Sequence, residues 1–352
     1  MIGKNISIKN YYWMLAYAFN SINDVDKTKI SAETFDNIYE LFSFIYVMEL
    51  NKQVKRGLNK NYKSIEEESS DIRGKININE SVKRMSFINK KLYIEYDDYT
   101  VDSYLNRIVK IAGKYLLKSR KIKNTKYISE LHKSIKYLND VSEVNPKQIK
   151  WNTIRYDRNN SSYRMIINLS YFILNGLLST KEYGNYVFND YLDDRKMYRL
   201  YEKFILGYYQ YHYADLLVTS SPSIDWIVDN KKMLPKMFSD IVLFDKKKKR
   251  KLIIDAKYYS SALTEHEFYN RETFRSNNLY QIFTYVKNED KEKDGSVSGM
   301  LLYAKTDYND NIDEEYNMDG NIIKVSNLDL SKDFSVVQEK LDGIVDWFMT
   351  EK

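Results

Sequence analysis

One stretch constrains the fold of this chain more than any other. It reads Met237-Phe238-Ser239-Asp240-Ile241-Val242-Leu243-Phe244-Asp245, then a basic run, then Lys251-Leu252-Ile253-Ile254-Asp255-Ala256-Lys257. Two apolar, β-branched segments joined by a short polar turn predict a β-hairpin. Asp240 enters its first strand, and Asp255-Ala256-Lys257 ends its second. Strand residues alternate between faces, so Asp255 and Lys257 project together and Ala256 points away. The triplet alone is not distinctive. Asp194-Arg195-Lys196, Asp229-Asn230-Lys231, Asp245-Lys246-Lys247 and Glu289-Asp290-Lys291 share its form but sit in polar stretches. Asp255 alone follows an apolar run, Leu252-Ile253-Ile254, that suits a buried strand. Burying a carboxylate and an ammonium there is costly unless they pair or bind a metal. Two readings stand side by side: an internal ion pair at a strand end, or a site for metal-dependent phosphodiester hydrolysis. In the second, Asp240 and Asp255 hold Mg²⁺, and Lys257 orients water or stabilises charge on the phosphate. Both carboxylates are expected to be ionised at pH 7, their unperturbed pKa lying near ~4.

Composition narrows the classes. With 352 residues, 43% of them hydrophobic, the chain can hold two domains with proper cores. It has no cysteine, which excludes disulfides, thiolate zinc sites and a Cys nucleophile. His132, His212 and His266 lack metal-ligand spacing and read as surface or packing residues. The formal charge of +6 permits nucleic-acid binding, although abundant Lys, Asn, Ile and Tyr also follow from A/T-rich codons. The N-terminus lacks a signal-peptide apolar region. Met165–Leu178 is interrupted by Asn168, Ser170 and Asn175 and reads as a buried helix, not a bilayer span. A cytoplasmic protein without a membrane segment is expected.

With three prolines and no low-complexity linker, only pattern marks domains. Helices are predicted over 10–20 and 34–56, the second from Phe35, Ile38, Leu41, Phe42, Ile45 and Met48. Residues 62–96 turn β-like, with alternation over 71–78 and 91–96. Helices return at 103–120 and 128–138, and Asn145-Pro146 breaks the chain. The boundary is placed at 155/156. In the second half, helices are expected over 164–178, 195–211, 277–287 and 336–349. Strands are expected at 224–228, at the Asp240/Asp255 hairpin, and near 299–304 and 321–325. The expected fold is an α+β N-terminal domain followed by an α/β domain with a mixed central sheet flanked by helices.

Two helices supply further candidates. Glu202 sits at the edge of the stripe Met197, Leu200, Tyr201, Phe204, Ile205; it is either a third carboxylate or a solvated surface residue. Asn278, Gln281 and Tyr285 share one helix face and either bind water or phosphate or make structural hydrogen bonds. The run Lys246–Lys251 reads as a solvated turn with the chemistry to touch phosphate.

At this level the chain resembles the McrC family, the nuclease subunits of McrBC modification-dependent (5-methylcytosine) restriction systems. The resemblance covers almost the whole chain. It rests on Ile8-Lys9-Asn10-Tyr11-Tyr12-Trp13, Lys55-Arg56-Gly57-Leu58, Ile72-Arg73-Gly74-Lys75-Ile76, Leu105-Asn106-Arg107-Ile108, Leu234–Ile241, Ile254–Tyr259 and Asn278-Leu279-Tyr280-Gln281. It implies a PD-(D/E)xK restriction-endonuclease-like fold over 156–352, with Asp240, Asp255 and Lys257 at the catalytic positions and Mg²⁺ on the two Asp. It also implies a hexameric McrB-like AAA+ GTPase partner that uses GTP, double-stranded DNA as substrate, and pairing of two complexes through the nuclease subunit. Residues 1–155 would be the docking and GTPase-stimulating domain. The chain departs from the pattern where Pro235 stands five residues before Asp240 instead of beside it. Arg107 follows the acidic, aromatic segment 96–102, read as a loop able to enter a ring pore; it either contacts the partner or pairs with Asp102. Two other functions compete: a stand-alone DNA-repair nuclease, and a protein that chiefly regulates an NTPase. The intact Asp240/Asp255/Lys257 set disfavours the latter. The first 150 residues carry no NTP-binding loop, helicase motif or zinc site, which disfavours the former.

Overall fold

The computed structural model describes residues 6–22, 24–178, 194–258, 263–266, 271–305 and 311–350. Helices α1 (Ile8–Ala18), α2 (Asp24–Ala32) and α3 (Ile38–Arg56) open the chain. Strand β1 (Asn61–Ser69), the two-residue β2 (Lys75–Ile76), α4 (Ile78–Lys83) and β3 (Leu92–Thr100) follow. Next come α5 (Tyr104–Lys118), α6 (Thr125–Lys136), α7 (Arg164–Leu178) and α8 (Asp194–His212). The remainder begins with β4 (Val218–Ser220), β5 (Ser223–Ile224), β6 (Met237–Phe238), β7 (Ile241–Asp245) and β8 (Arg250–Lys257). It continues through β9 (Leu263–His266), β10 (Arg271–Phe274), α9 (Ser276–Glu289), β11 (Val297–Ala304), β12 (Asp313–Met318), β13 (Asn321–Leu328) and α10 (Phe334–Thr350).

These elements gather into two compact units, Met1–Leu41 with Asn175–Lys352, and Phe42–Leu174. The units part at 41/42 and 174/175, not at the expected 155/156. The reason is a long-range contact. Helix α1 buries Tyr12, Met14, Ala16 and Tyr17 and packs on α8. A Cβ at Gly207 of α8 would stand 2.2 Å from the Tyr17 carbonyl oxygen, so this crossing needs a glycine.

The larger unit is built on a six-stranded sheet of order β12-β13-β11-β8-β7-β4. Strands β8, β11 and β13 run parallel, and β12, β7 and β4 pair antiparallel to their neighbours, so the sheet is mixed. Strand β11 is buried along its whole length at the centre, which explains its unbroken apolar character. Each of its fully buried large side chains, such as Leu301 and Leu302, contributes roughly 1.5–3 kcal/mol. Helix α9 covers the face bearing Ile253, Leu301, Ile323 and Val325 with Ile282 and Val286. The predicted hairpin is present: Ile241 pairs with Ile254, and Asp245 with Arg250 across the turn. Its basic turn lies at the end of the hairpin away from Asp240, and Lys247 and Lys248 are exposed there. The strand expected over 224–228 shrinks to Ser223–Ile224, paired with β6. The polar edge strand β12 was not anticipated, because its exposed residues lack an apolar alternation.

The unit Phe42–Leu174 carries a three-stranded antiparallel sheet, β1-β3-β2, and most of helices α3 to α7. The alternation over 71–78 yields only β2. Asn77 then starts a helix, its side chain accepting from Glu80 N at 3.1 Å. The expected helix over 34–56 begins at Ile38, leaving Phe35 outside it, and α2 was missed. Residues 96–100 are strand, not loop: Tyr96 pairs with Ile65 and Thr100 with Asn61. Asn106 is fully buried, donating to Asn59 O and Val101 O and accepting from Tyr163 OH. Arg107 donates twice to Asp102, at 2.8 and 2.6 Å, and Ser142 N donates to the same carboxylate. The pairing alternative for Arg107 is therefore the one observed. Among the described residues, no helix is long and apolar enough to cross a membrane.

Candidate active site

The hairpin positions the central pair. Alternation along β8 turns Asp255 and Lys257 to one face, and their side chains are 1% and 4% exposed. Lys257 Nζ lies 2.6 Å from Asp255 Oδ2. That contact lacks hydrogen-bond geometry, so this buried oxygen has a counter-charge but no directed donor. Asp240 stands just before β7, where it meets the end of β8. Its Oδ2 accepts the Ala256 N–H at 2.9 Å, so backbone of the triplet's middle residue holds the first carboxylate beside the second.

Helix α9 completes the lysine's surroundings. Lys257 Nζ donates to Gln281 Oε1 at 2.9 Å, and Gln281 Nε2 donates to Tyr285 OH at 2.8 Å. Asn278, on the same helix, donates instead to Tyr303 OH in the core, the structural alternative. Helix α8 brings Glu202, which is partly buried and hydrogen-bonded with Tyr198 and Asp240. The solvated-surface alternative for Glu202 is therefore overturned. Tyr198 is the residue that sequence reasoning missed. It lies one turn before Glu202, and its ring centroid is 6.0 Å from Lys257 Nζ. Its signal was the i, i+4 spacing to Glu202 on a helix whose polar edge faces inward.

Burial and crowding set the electrostatics. The Asp240 carboxyl is pushed up to about 8, first by burial and then by the charges of Asp255 and Glu202; the Ala256 N–H and Lys257 oppose the shift. Burial also raises Asp255, against the charge of Lys257. Glu202 is raised chiefly by burial, with Asp255 adding to it. The expectation that Asp240 is ionised at pH 7 is thus corrected: among the described residues, three carboxylates crowd one largely buried place beside Lys257.

Such a cluster fits a hard divalent cation. Among the described residues no three His, Asp or Glu side chains form a ready-made cage. Mg²⁺ does not need one, because it binds through one or two carboxylates and keeps waters and phosphate oxygens as its other ligands. The buried Asp255 Oδ2 without a donor and the raised Asp240 are both relieved by a cation.

Comparison with known proteins places the chain. Residues 8–304 match the family model described as McrBC 5-methylcytosine restriction system component. The chain is 25% identical over 354 residues to a protein of Escherichia coli (strain K12) described as type IV methyl-directed restriction enzyme EcoKMcrBC, with 98% of each covered. Its fold is similar to a chain in the refined half-complex from the tetradecameric assembly of Thermococcus gammatolerans McrB AAA+ hexamers with bound McrC. The TM-score there is 0.57 at 16% identity, covering 96% of this chain and 75% of that one. The family match runs from α1 through the last residue of β11, so it takes in all of the unit Phe42–Leu174, the larger unit as far as β11, and the Asp240/Asp255/Lys257 cluster. The chain belongs to the McrBC 5-methylcytosine restriction system component family.

Proposed function

We propose that this chain is the DNA-cutting subunit of a modification-dependent restriction complex. In this reading it is a PD-(D/E)xK-type, Mg²⁺-dependent endonuclease acting on methylated foreign duplex DNA. It works with a hexameric AAA+ GTPase whose GTP hydrolysis it stimulates. The observation that carries the reading is the convergence of Asp240, Asp255 and Lys257 at one end of the β7–β8 hairpin, in a chain of this family. The AAA+ hexamers in the related assembly support the choice of partner.

The residues divide the work by their chemistry. Asp240 and Asp255 offer the hard oxygen ligands. With Mg²⁺ bound, these two carboxylates would hold it, and it would supply Lewis-acid chemistry to phosphodiester hydrolysis. Lys257 keeps a positive charge where phosphate charge develops, and Gln281 holds that ammonium in place. Glu202, raised by burial, holds a proton more readily than a solvated glutamate and is suited to exchange it with water at the edge of the site. Tyr198 orients Glu202.

The test is cleavage of methylated plasmid by the chain with its AAA+ partner, GTP and Mg²⁺. Asp255→Asn and Lys257→Ala should each lower cutting by about 10²–10³-fold while the complex still assembles. Wild-type rates from both variants would end the assignment. Robust cutting of unmodified plasmid by the chain alone with Mg²⁺ would favour the stand-alone repair nuclease.

A further inference from the structure

The segment that delivers Asp240 to the sheet carries a feature the cleavage cluster does not use. Between β5 and β6 the chain runs out to a tip, Asn230-Lys231-Lys232-Met233-Leu234-Pro235-Lys236, with three lysines and no acid. Met233 is 93% exposed and Leu234 39%. Met233 also holds φ at +69°, in the left-handed region that a non-glycine residue rarely adopts. Met233 thus bears both apolar exposure and backbone strain, as Met85 (65% exposed, φ +54°) does elsewhere, and such strain persists only where the surroundings enforce it.

The surroundings do enforce it. Trp226 Nε1 donates to Pro235 O at 2.7 Å and closes the base of the tip. Ile227 N donates to Asn288 Oδ1 at 2.8 Å, tying the outgoing limb to α9. Within the tip, Leu234 N donates to Lys231 O and Lys232 N to Asn230 Oδ1. On the return limb, Ser239 N and Oγ both donate to Pro222 O, and Ser221 Oγ donates to Ser239 O. The last of these fixtures lies one residue before Asp240, so the tip is held relative to the cluster.

We infer that this tip is a duplex-DNA contact: Lys232 and Lys236 meet backbone phosphates, and Met233, with Leu234, presses as an apolar wedge into the base stack beside the cut. The inference rests on the proposed DNA cleavage. Methionine and leucine are among the side chains that serve as such wedges. The flanking ammonium groups favour a polyanion over a protein partner, because lysine is depleted from protein–protein interfaces. Lys231 is already paired with Asp225, which leaves Lys232 and Lys236 as the phosphate ligands. Met233 is seven positions before Asp240. Fully extended chain spans at most about 3.3–3.6 Å per residue, so the wedge's backbone lies within about 25 Å of the cluster. Along duplex DNA that is about seven base pairs at about 3.4 Å each.

The experiment uses the full chain, with Ca²⁺ replacing Mg²⁺, bound to a methylated duplex carrying 2-aminopurine at successive positions around the cut. The cut is mapped beforehand with the AAA+ partner, GTP and Mg²⁺. Wild type should raise 2-aminopurine fluorescence several-fold at one step within about seven base pairs of the cut. Met233→Ala keeps the same backbone preference and removes only an exposed side chain; it should lose most of that rise and bind within a few-fold of wild type. Lys232→Ala with Lys236→Ala should lower the slope of log K against log salt by about 1.8, two phosphates at about 0.9 each. A wild-type fluorescence rise that survives Met233→Ala, or an unchanged salt slope, overturns the inference. So does normal DNA behaviour of the variants with lost binding to the AAA+ partner or lost self-association, which would make the tip a protein contact. A wild type that cuts methylated DNA but unstacks no base sinks the wedge alone. One that neither cuts nor binds duplex sinks the nuclease reading with it.

Discussion

At the residue scale, the chemistry of this chain lies in the burial of Asp255 and the partial burial of Asp240 and Glu202 beside it. The Asp240 carboxyl sits at about 8 against an ordinary 3.8. Between those values the folded protein keeps a proton that the unfolded chain has released. The folded state binds more protons, so this group's contribution to stability falls as pH rises across the window, the reverse of a salt-bridged aspartate. The metal-free protein should therefore lose Tm between about pH 5 and about pH 8. Asp240→Asn should flatten that loss, and Mg²⁺ at the upper pH should recover it by favouring the ionised carboxylates. Melting curves of wild type and variant across pH, with and without Mg²⁺, decide this; identical slopes for the two proteins count against a buried acid here. Gln281 gives a second prediction. A hydrogen bond to a charged group is worth about 1.5–3 kcal/mol, so Gln281→Ala should cost about ten- to a hundred-fold in kcat and leave KM nearly unchanged. A KM effect alone would make Gln281 a substrate ligand, not the holder of Lys257.

At the element scale, the site depends on three pieces that are distant in sequence: the β7–β8 hairpin, helix α8 with Tyr198 and Glu202, and helix α9 with Gln281. Helix α8 is held by its packing on α1, and that crossing is close enough to exclude a methyl group at Gly207. Backbone is what the added Cβ would strike, and backbone cannot swing away as a side chain can. Gly207→Ala should then destabilise the protein by about 1–3 kcal/mol, the usual cost of overpacking. Denaturant melts should show it as a lower midpoint with an unchanged m value. A variant as stable as wild type would mean that α1 and α8 separate freely. The segment 96–100 teaches a related lesson. Its acidic and aromatic residues read as a loop, yet they form the end of β3 because β1 supplies a partner in register from Asn61 onward.

At the scale of the whole molecule, the chain is not divided linearly. The unit with the candidate site takes in Met1–Leu41, and the other unit extends to Leu174. A fragment ending near 155 would lose Tyr163, whose hydroxyl donates to buried Asn106, and the buried residues Ile166, Leu169 and Ile173. A fragment of residues 38–178 keeps α3 and α7 whole. If this unit is the docking module, that fragment should melt cooperatively, bind the AAA+ partner and raise its GTP hydrolysis without cutting DNA, whereas 1–155 should melt poorly. The proposal fails if 38–178 folds but neither binds nor stimulates the partner. Any contact of Arg107 with the partner would be made by a guanidinium already committed to Asp102.

The amino-acid sequence by itself determined the elements whose physics is local. The hairpin, the apolar run of β11, and helices α5, α7, α8, α9 and α10 were legible because burial imposes a period of 2 or 3.6 on residues close in the chain. The pairing of Asp255 with Lys257 on one face followed from the same alternation. Tertiary structure alone decided the rest. The Ala256 N–H that holds Asp240 is backbone, and no residue type encodes it. The burial that pushes Asp240 up, and that chose between the two readings of Glu202, depends on elements brought together from α8, β7 and β8. The unit boundaries depend on α1 meeting α8, a contact about 190 residues apart in sequence, where desolvation and close packing act through space and leave no periodic trace along the chain.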